Sequence, residues 1–233
     1  MKTKITKTLI ESWQYTFDCA EGYEDEAMED FLATLKREPK EPTEAMINGT
    51  NFENLCYKIA NGEKVYEERL SGSLVPHAID SDDLPDSVDP KIVRIYPKWY
   101  AGAKKVADII TGGQFQVPVS CDLTIAGRDI WLYGICDVVK AGTIFDVKFR
   151  NKSLGSTDVY GKYLDCSQHP IYLRALPEAS RFIYLVSDGD DLYTEEYNRS
   201  NSKSVEYYVL NFLSWLQSSP ELMKIYEERW AVE

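Results

Sequence analysis

The feature that most constrains this chain is a change of period at Gln114. From there Phe115, Val117 and Val119, then Leu123 and Ile125, alternate as a half-buried strand does, up to an Ala126-Gly127-Arg128 turn. Ile130 to Val139 forms a second strand, Lys140-Ala141-Gly142 a turn, and Thr143 to Phe149 a third. A helix is expected from about Tyr160 to Leu176. Pro170 fits it best if the helix starts near Gln168, because proline is tolerated in a first turn and not in an interior. A strand from Arg181 to Val186, a turn at Asp188-Gly189-Asp190 and a short strand from Leu192 to Tyr197 follow.

The flanks are helical. Thr6 to about Phe17 and Glu24 to Leu35 carry apolar residues at helical spacing. Thr43 opens a third helix that ends near Gly62, and Pro97 opens a fourth that runs to about Ile110 and is closed by Gly112-Gly113. Val205 to Leu216 and Glu221 to Trp230 close the chain. An acidic stretch, Asp80 to Pro90, reads as a loop. The expectation is a single α/β domain over residues 1–233. Its parts would be helical to about residue 113, a sheet and helix over about 114–198, and C-terminal helices over about 199–233.

Composition narrows the function classes. The net charge of −12 argues against a generic cationic nucleic-acid coat, which binds by neutralising phosphates, but not against a nuclease, where only the groove must be basic. The five cysteines form no CxxC pair and the two histidines stand far apart, so zinc ribbons, iron–sulfur knots and disulfide scaffolds are not expected. Reduced thiols and the lack of an apolar run of signal or membrane length suggest a soluble cytoplasmic protein. His77 reads as a surface loop residue and His169 as a polar residue at a helix start. Tyr207, Tyr208, Phe212 and Trp215 read as core packing.

The chemistry lies in Gly134-Ile-Cys-Asp137 and Asp146-Val-Lys148. If Ala141-Gly142 is a two-residue turn, Lys140 faces Thr143, and counting outward sets Asp137 opposite Asp146 on one face, with Lys148 two residues further along it. Facing carboxylates repel and call for a cation. Hard oxygen ligands favour magnesium or manganese. A turn one residue longer or shorter would make the same acids an ordinary solvated surface pair.

Four short motifs in order extend this pair: Gly49-Thr-Asn-Phe-Glu53, Gly134-Ile-Cys-Asp137, Asp146-Val-Lys148 and Gln168-His-Pro-Ile-Tyr172. Together they resemble the PD-(D/E)XK nuclease superfamily, in the branch of the RecB nuclease domain, the CRISPR-adaptation nucleases and the phage recombination exonucleases, over about residues 5–190. Glu53 stands where the branch often has histidine. No cysteine follows Cys166, so the resemblance is to members without an iron–sulfur cluster, and no NTP-binding loop of the helicase–nucleases is present.

The resemblance implies a restriction-endonuclease-like core, a central mixed sheet flanked by helices, and Mg²⁺-dependent hydrolysis of DNA, with Mn²⁺ able to substitute and no zinc. It implies an exonuclease, with Glu53, Asp137, Asp146 and the Val147 carbonyl as metal ligands and Lys148 acting on the nucleophilic water. Gln168 and Tyr172, an i, i+4 pair on one helix face, would position DNA or that water. DNA is the implied partner, together with a single-strand annealing or recombination protein, and an oligomer is compatible with it. The alternative reading is a catalytically silent DNA-binding or assembly subunit that retains the fold.

Charge distribution points the same way. Residues 140–174 carry a net +3, and residues 90–105 carry five basic residues and no acid, interleaved with Tyr96, Trp99 and Tyr100. Lys98, Lys104, Arg150, Lys152 and Lys162 are the candidate phosphate contacts. Trp99 reads more readily as core.

Overall fold

The computed structural model describes residues 2–70, 92–155 and 159–232. His77, the acidic stretch from Asp80 to Pro90 and Lys91 lie outside the described residues. The long strand β5 (Arg128–Lys140) organises the sheet. Strand β4 (Gln114–Ile125) runs antiparallel along one of its edges, from Gln114 opposite Val139 to Ile125 opposite Arg128. The turn between them is tight because Ala126 and Gly127 both take left-handed φ, 51° and 73°. Ala141 and Gly142, at 48° and 70°, make the same kind of turn into β6 (Thr143–Phe149).

With β4 covering one edge, two strands share the other. Strand β1 (Lys2–Thr6) pairs in parallel with β5 from Thr3 opposite Ile130 to Thr6 opposite Tyr133. β6 pairs with it only from Val138 opposite Phe145 to Lys140 opposite Thr143. Between these ladders, residues 134 to 137 of β5 have no strand partner on that edge among the described residues, and the sheet splits there. β7 (Arg181–Ser187) lies parallel to β6, β8 (Leu192–Tyr197) antiparallel to β7, and β9 (Ala231–Val232) antiparallel to β1. The order β8-β7-β6-β5-β1-β9, with β4 on the second edge of β5, makes a mixed sheet. β2 (Glu67–Leu70) and β3 (Ile92–Ile95) form a separate antiparallel pair that the sequence reading did not expect.

Helices cover both faces. On one, α3 (Glu44–Ala60) and α4 (Tyr100–Ile110) bury Phe52, Cys56, Val106 and Ile110 against Val138, Phe145, Val147 and Leu185. On the other, α1 (Lys7–Asp18), α2 (Glu24–Lys36), α5 (Gln168–Ala175), α6 (Val205–Gln217) and α7 (Pro220–Arg229) enclose a larger core. It includes Leu9, Phe31, Ile171, Phe212 and Tyr226 against Ile130, Leu132, Ile144 and Phe182. This mixed sheet flanked by helices is the expected α/β class, consistent with a restriction-endonuclease-like core.

Several expectations shift in detail. Lys2–Thr6 was not expected as a strand, yet Thr3 and Ile5 are buried between part-exposed Lys2, Lys4 and Thr6, a period-two pattern five residues long. The helix expected from Pro97 starts at Tyr100, because Trp99 takes a left-handed φ of 71°. The helix expected from Tyr160 starts at Gln168, after turns that include Gly161 at φ 69°, so Pro170 falls in its first turn. Tyr208 and Phe212 are core, whereas Tyr207 is 49% exposed.

His169 is a correction. It is fully buried, stacks on Tyr197 with ring centroids 4.1 Å apart, and places Nδ1 3.2 Å from the Tyr184 hydroxyl. Burial pushes its pKa down to about 4, so the unfolded chain takes up a proton first as pH falls. Stability from the neutral ring is fully present above about pH 6.5 and is lost toward pH 4, by up to roughly 3 kcal/mol. Chemical denaturation of His169→Gln from pH 7 to 4 is expected to give a shallower acid loss than the wild type. Equal slopes would show that His169 titrates alike in both states.

Candidate active site

Asp146 points from β6 toward α5 and is 1% exposed. Lys148 Nζ lies 2.6 Å from its Oδ2, and the Gln168 side-chain amide donates to its Oδ1. Asp137 leaves β5 in the split of the sheet. The Lys140–Thr143 pairing confirms the register inferred from the turn, but the ladder stops at Val138 and Phe145. One residue further, the Asp137 carboxylate takes the place of a backbone partner, with its Oδ2 accepting from the Val147 N–H at 3.0 Å.

Glu53 comes from the middle of α3. Its Oε1 accepts from the Tyr57 hydroxyl and, at 2.8 Å, from the Gln116 side-chain amide. The Tyr57 hydroxyl also lies 3.3 Å from the Asp137 carbonyl, which ties α3 to β5. A glycine four residues before Glu53 would let a neighbouring backbone approach α3, but Gly49 is not used in that way among the described residues. It is half-buried, and among the described residues a Cβ built on it meets nothing within 4 Å, so none of their backbones approaches there.

Close approach occurs instead at Gly134. A Cβ there would lie 2.1 Å from Tyr172 Cε1, because the tyrosine ring rests on the bare backbone. Tyr172 is 6% exposed and fills the space between α5 and β5, so its ring is buried packing and not a surface offered to DNA or water. The consequence is positional: the contact presses α5 onto the strand, which brings Gln168 to Asp146. Gly134→Ala is expected to cost about 1–3 kcal/mol by overpacking and to lower the melting temperature accordingly. Gly134→Ala with Tyr172→Ala is expected to lose less than the sum of the two single changes. Strict additivity would mean that the contact does not set the helix position.

Glu53, Asp137, Asp146 and Lys148 form one electrostatic unit. Burial and then the charges of Asp146 and Glu53 push the Asp137 pKa well above the ordinary carboxylate range, against Lys148 and the Val147 N–H. Glu53 is raised by burial, with Asp146 adding to it against the Tyr57 hydrogen bond and Lys148. Burial works against the Lys148 ammonium, but Asp146 and Asp137 outweigh it and hold its pKa above the usual lysine value.

Three carboxylates against one ammonium make a donor set of hard oxygens with surplus negative charge, which fits a divalent cation such as magnesium. Among the described residues, no three His, Cys, Asp or Glu side chains are already arranged to hold a metal ion. Lys148 and Gln168 engage Asp146, while Tyr57 and Gln116 engage Glu53. The fit is therefore one of charge and donor type, and ligation would require those side chains to turn.

Three residues of the site escaped the motifs. Tyr57 is legible in retrospect as i+4 from Glu53 on the same helix face. Gln116 takes a left-handed φ of 50° near the start of β4, and the ladder passes from Phe115–Val138 to Val117–Cys136 without pairing Gln116 and Asp137. Such backbone strain, of order 1–3 kcal/mol, tends to mark functional positions. Glu11 of α1 accepts from Cys166 Sγ at 3.1 Å, and its charge is among those that raise Lys148.

The candidate phosphate contacts divide. Lys104 is ion-paired to Asp108 on α4, while Lys98 Nζ lies 4.8 Å from the Trp99 ring centroid. Lys152 and Lys162 are exposed, and Arg150 is half-buried. Trp99 packs on Phe149, with centroids 4.5 Å apart.

No protein-family model and no curated protein matches the chain. Among solved structures it is similar to the crystal structure of SSO0001, with a TM-score of 0.48 and 11% identity over 94% of this chain and 78% of that one. It is also similar to LHK-Exo in complex with dAMP, with a TM-score of 0.38 and 15% identity over 95% of this chain and 91% of that one. Likenesses this distant transfer no residue roles, and the candidate site stands on its own geometry.

Proposed function

We propose that the chain is a metal-dependent DNA nuclease that hydrolyses phosphodiester bonds, an exonuclease of the phage-recombination or RecB-like type. The observation that carries this reading is the convergence of Glu53, Asp137, Asp146 and Lys148 where β1 and β6 part along β5. A structural reason alone would not gather three carboxylates around one ammonium at the cost of raising two of their pKa values.

Glu53, Asp137, Asp146 and the Val147 carbonyl would hold Mg²⁺, or Mn²⁺ in its place. Bound there, the ion would orient the scissile phosphate and lower the pKa of its water. Lys148 works as a donor. Held as an ammonium by Asp146, its Nζ orients the attacking water and offsets charge as it develops on the phosphate oxygens. Gln168 positions Asp146, and through it Lys148. Tyr57 and Gln116 hold Glu53 toward the split strand.

The test is cleavage of end-labelled single- and double-stranded DNA in Mg²⁺, Mn²⁺ or EDTA. Loss of label from one end in either ion, and none in EDTA, is expected. Intact DNA in both ions would overturn the proposal.

A further inference from the structure

On the outer flank of α3, beside Glu53, lies a groove of about 630 Å³ that no step above uses. One wall is α3 itself, with Asn51, Asn54 and Lys58; Lys64 follows the helix, and the opposite wall includes Lys98 and Trp99. Both walls are tied to the candidate site. Asn54 and Lys58 each directly follow a residue of it, Glu53 and Tyr57, so at 100° per residue they occupy the adjoining helix face. The Trp99 ring rests on Phe149, the residue after Lys148.

The chemistry of the groove is specific. Lys58, Lys64 and Lys98 face a single acid, Glu63, among the described lining residues, in a chain whose net charge is −12. Among the described residues Lys58 and Lys64 form no ion pair and the amides of Asn51 and Asn54 no hydrogen bond, in contrast with Lys104 and Lys105, which are paired to Asp108 and Asp191. Cations without protein partners beside amides and an indole suit a phosphodiester backbone with stackable bases. Lysines beside amides and an indole suit one strand, whose bases are open to stacking, rather than a duplex, whose bases are paired.

We infer that this groove binds a single strand of DNA and leads it to the carboxylates. The inference rests on the nuclease reading and adds to it the form of the substrate and its path.

The test is fluorescence anisotropy in EDTA with a labelled single-stranded 20-mer, and with the same sequence as duplex, over a series of salt concentrations. Lys58→Ala/Lys64→Ala is expected to melt like the wild type and to bind the single strand at least tenfold more weakly. Its log–log salt slope should be shallower by about 1.4, since each phosphate that is no longer neutralised lowers the slope by about 0.7. Lys40→Ala/Lys224→Ala removes the same charge from α7 and the segment after α2 and should bind as the wild type does. Wild-type affinity and slope in the groove variant, or preference for duplex, would overturn the inference. Cleavage in Mg²⁺ separates the two proposals. If DNA is cut but the groove variant binds normally, the groove assignment alone fails. If the groove variant loses binding but no ion supports cutting, the nuclease reading alone fails.

Discussion

Lys148→Ala is expected to slow DNA cleavage by roughly 100-fold or more, because in the proposed mechanism the lysine supplies the electrostatic and water-orienting contribution at the reacting phosphate, and such contributions are individually of that size. It is not a proposed ligand, so the rise in melting temperature on adding Mg²⁺ should persist. The substitution also removes the ammonium partner of Asp146, whose side chain is 2% exposed. Breaking a fully buried pair costs about 3–5 kcal/mol. Lys148 retains 29% side-chain exposure, so water recovers part of that loss. Lys148→Gln keeps a hydrogen-bond donor beside Asp146 and protects the test against a failure to fold. Either variant, if folded and keeping more than about a tenth of the wild-type rate, would remove Lys148 from the reaction.

Asp137→Asn is expected to abolish cleavage and yet to raise the melting temperature in EDTA. The carboxylate that accepts from Val147 N–H becomes an amide whose oxygen can still accept, so the bridge across the split survives. What disappears is the charge that burial, Asp146 and Glu53 all oppose. An active-site acid that costs stability is a trade seen where function requires like charges to be held together. A melting temperature below that of the wild type in EDTA would mean that the aspartate is a net stabiliser and the repulsion argument is mistaken.

The hairpin was legible because its turn is short. Two consecutive left-handed residues, Ala141 and Gly142, leave no freedom in the register, and the positions of Lys140 and Thr143 follow. What counting residues could not reveal is that the ladder would end at Val138, since that depends on β1 occupying the same edge of β5. β1 was itself obscured by being five residues long and by Thr6, which closes the strand and caps α1 through its side chain.

The motif residues converge, but their parts differ from a reading by type. Gln168 reaches a carboxylate as a site residue should, whereas its i+4 partner Tyr172 is a spacer against Gly134. The spacing put both on one helix face without indicating which would be covered. Gln116 had no local signal, because its place depends on a single backbone angle inside an otherwise regular strand. His169 shows the converse: a polar residue at a helix start became core because α5 is buried along nearly its whole length.

The most direct measurement is thermal unfolding of the DNA-free protein against Mg²⁺ concentration, with Asp137→Asn alongside. A cation bound by the folded chain alone adds about 2.7 kcal/mol at a hundred times its dissociation constant. For a chain of this size that is a rise of roughly 5–10 °C. This rise is expected in the wild type, and a flat response in Asp137→Asn. An equal response in the two proteins, or none in the wild type, would contradict a cation site among Glu53, Asp137 and Asp146.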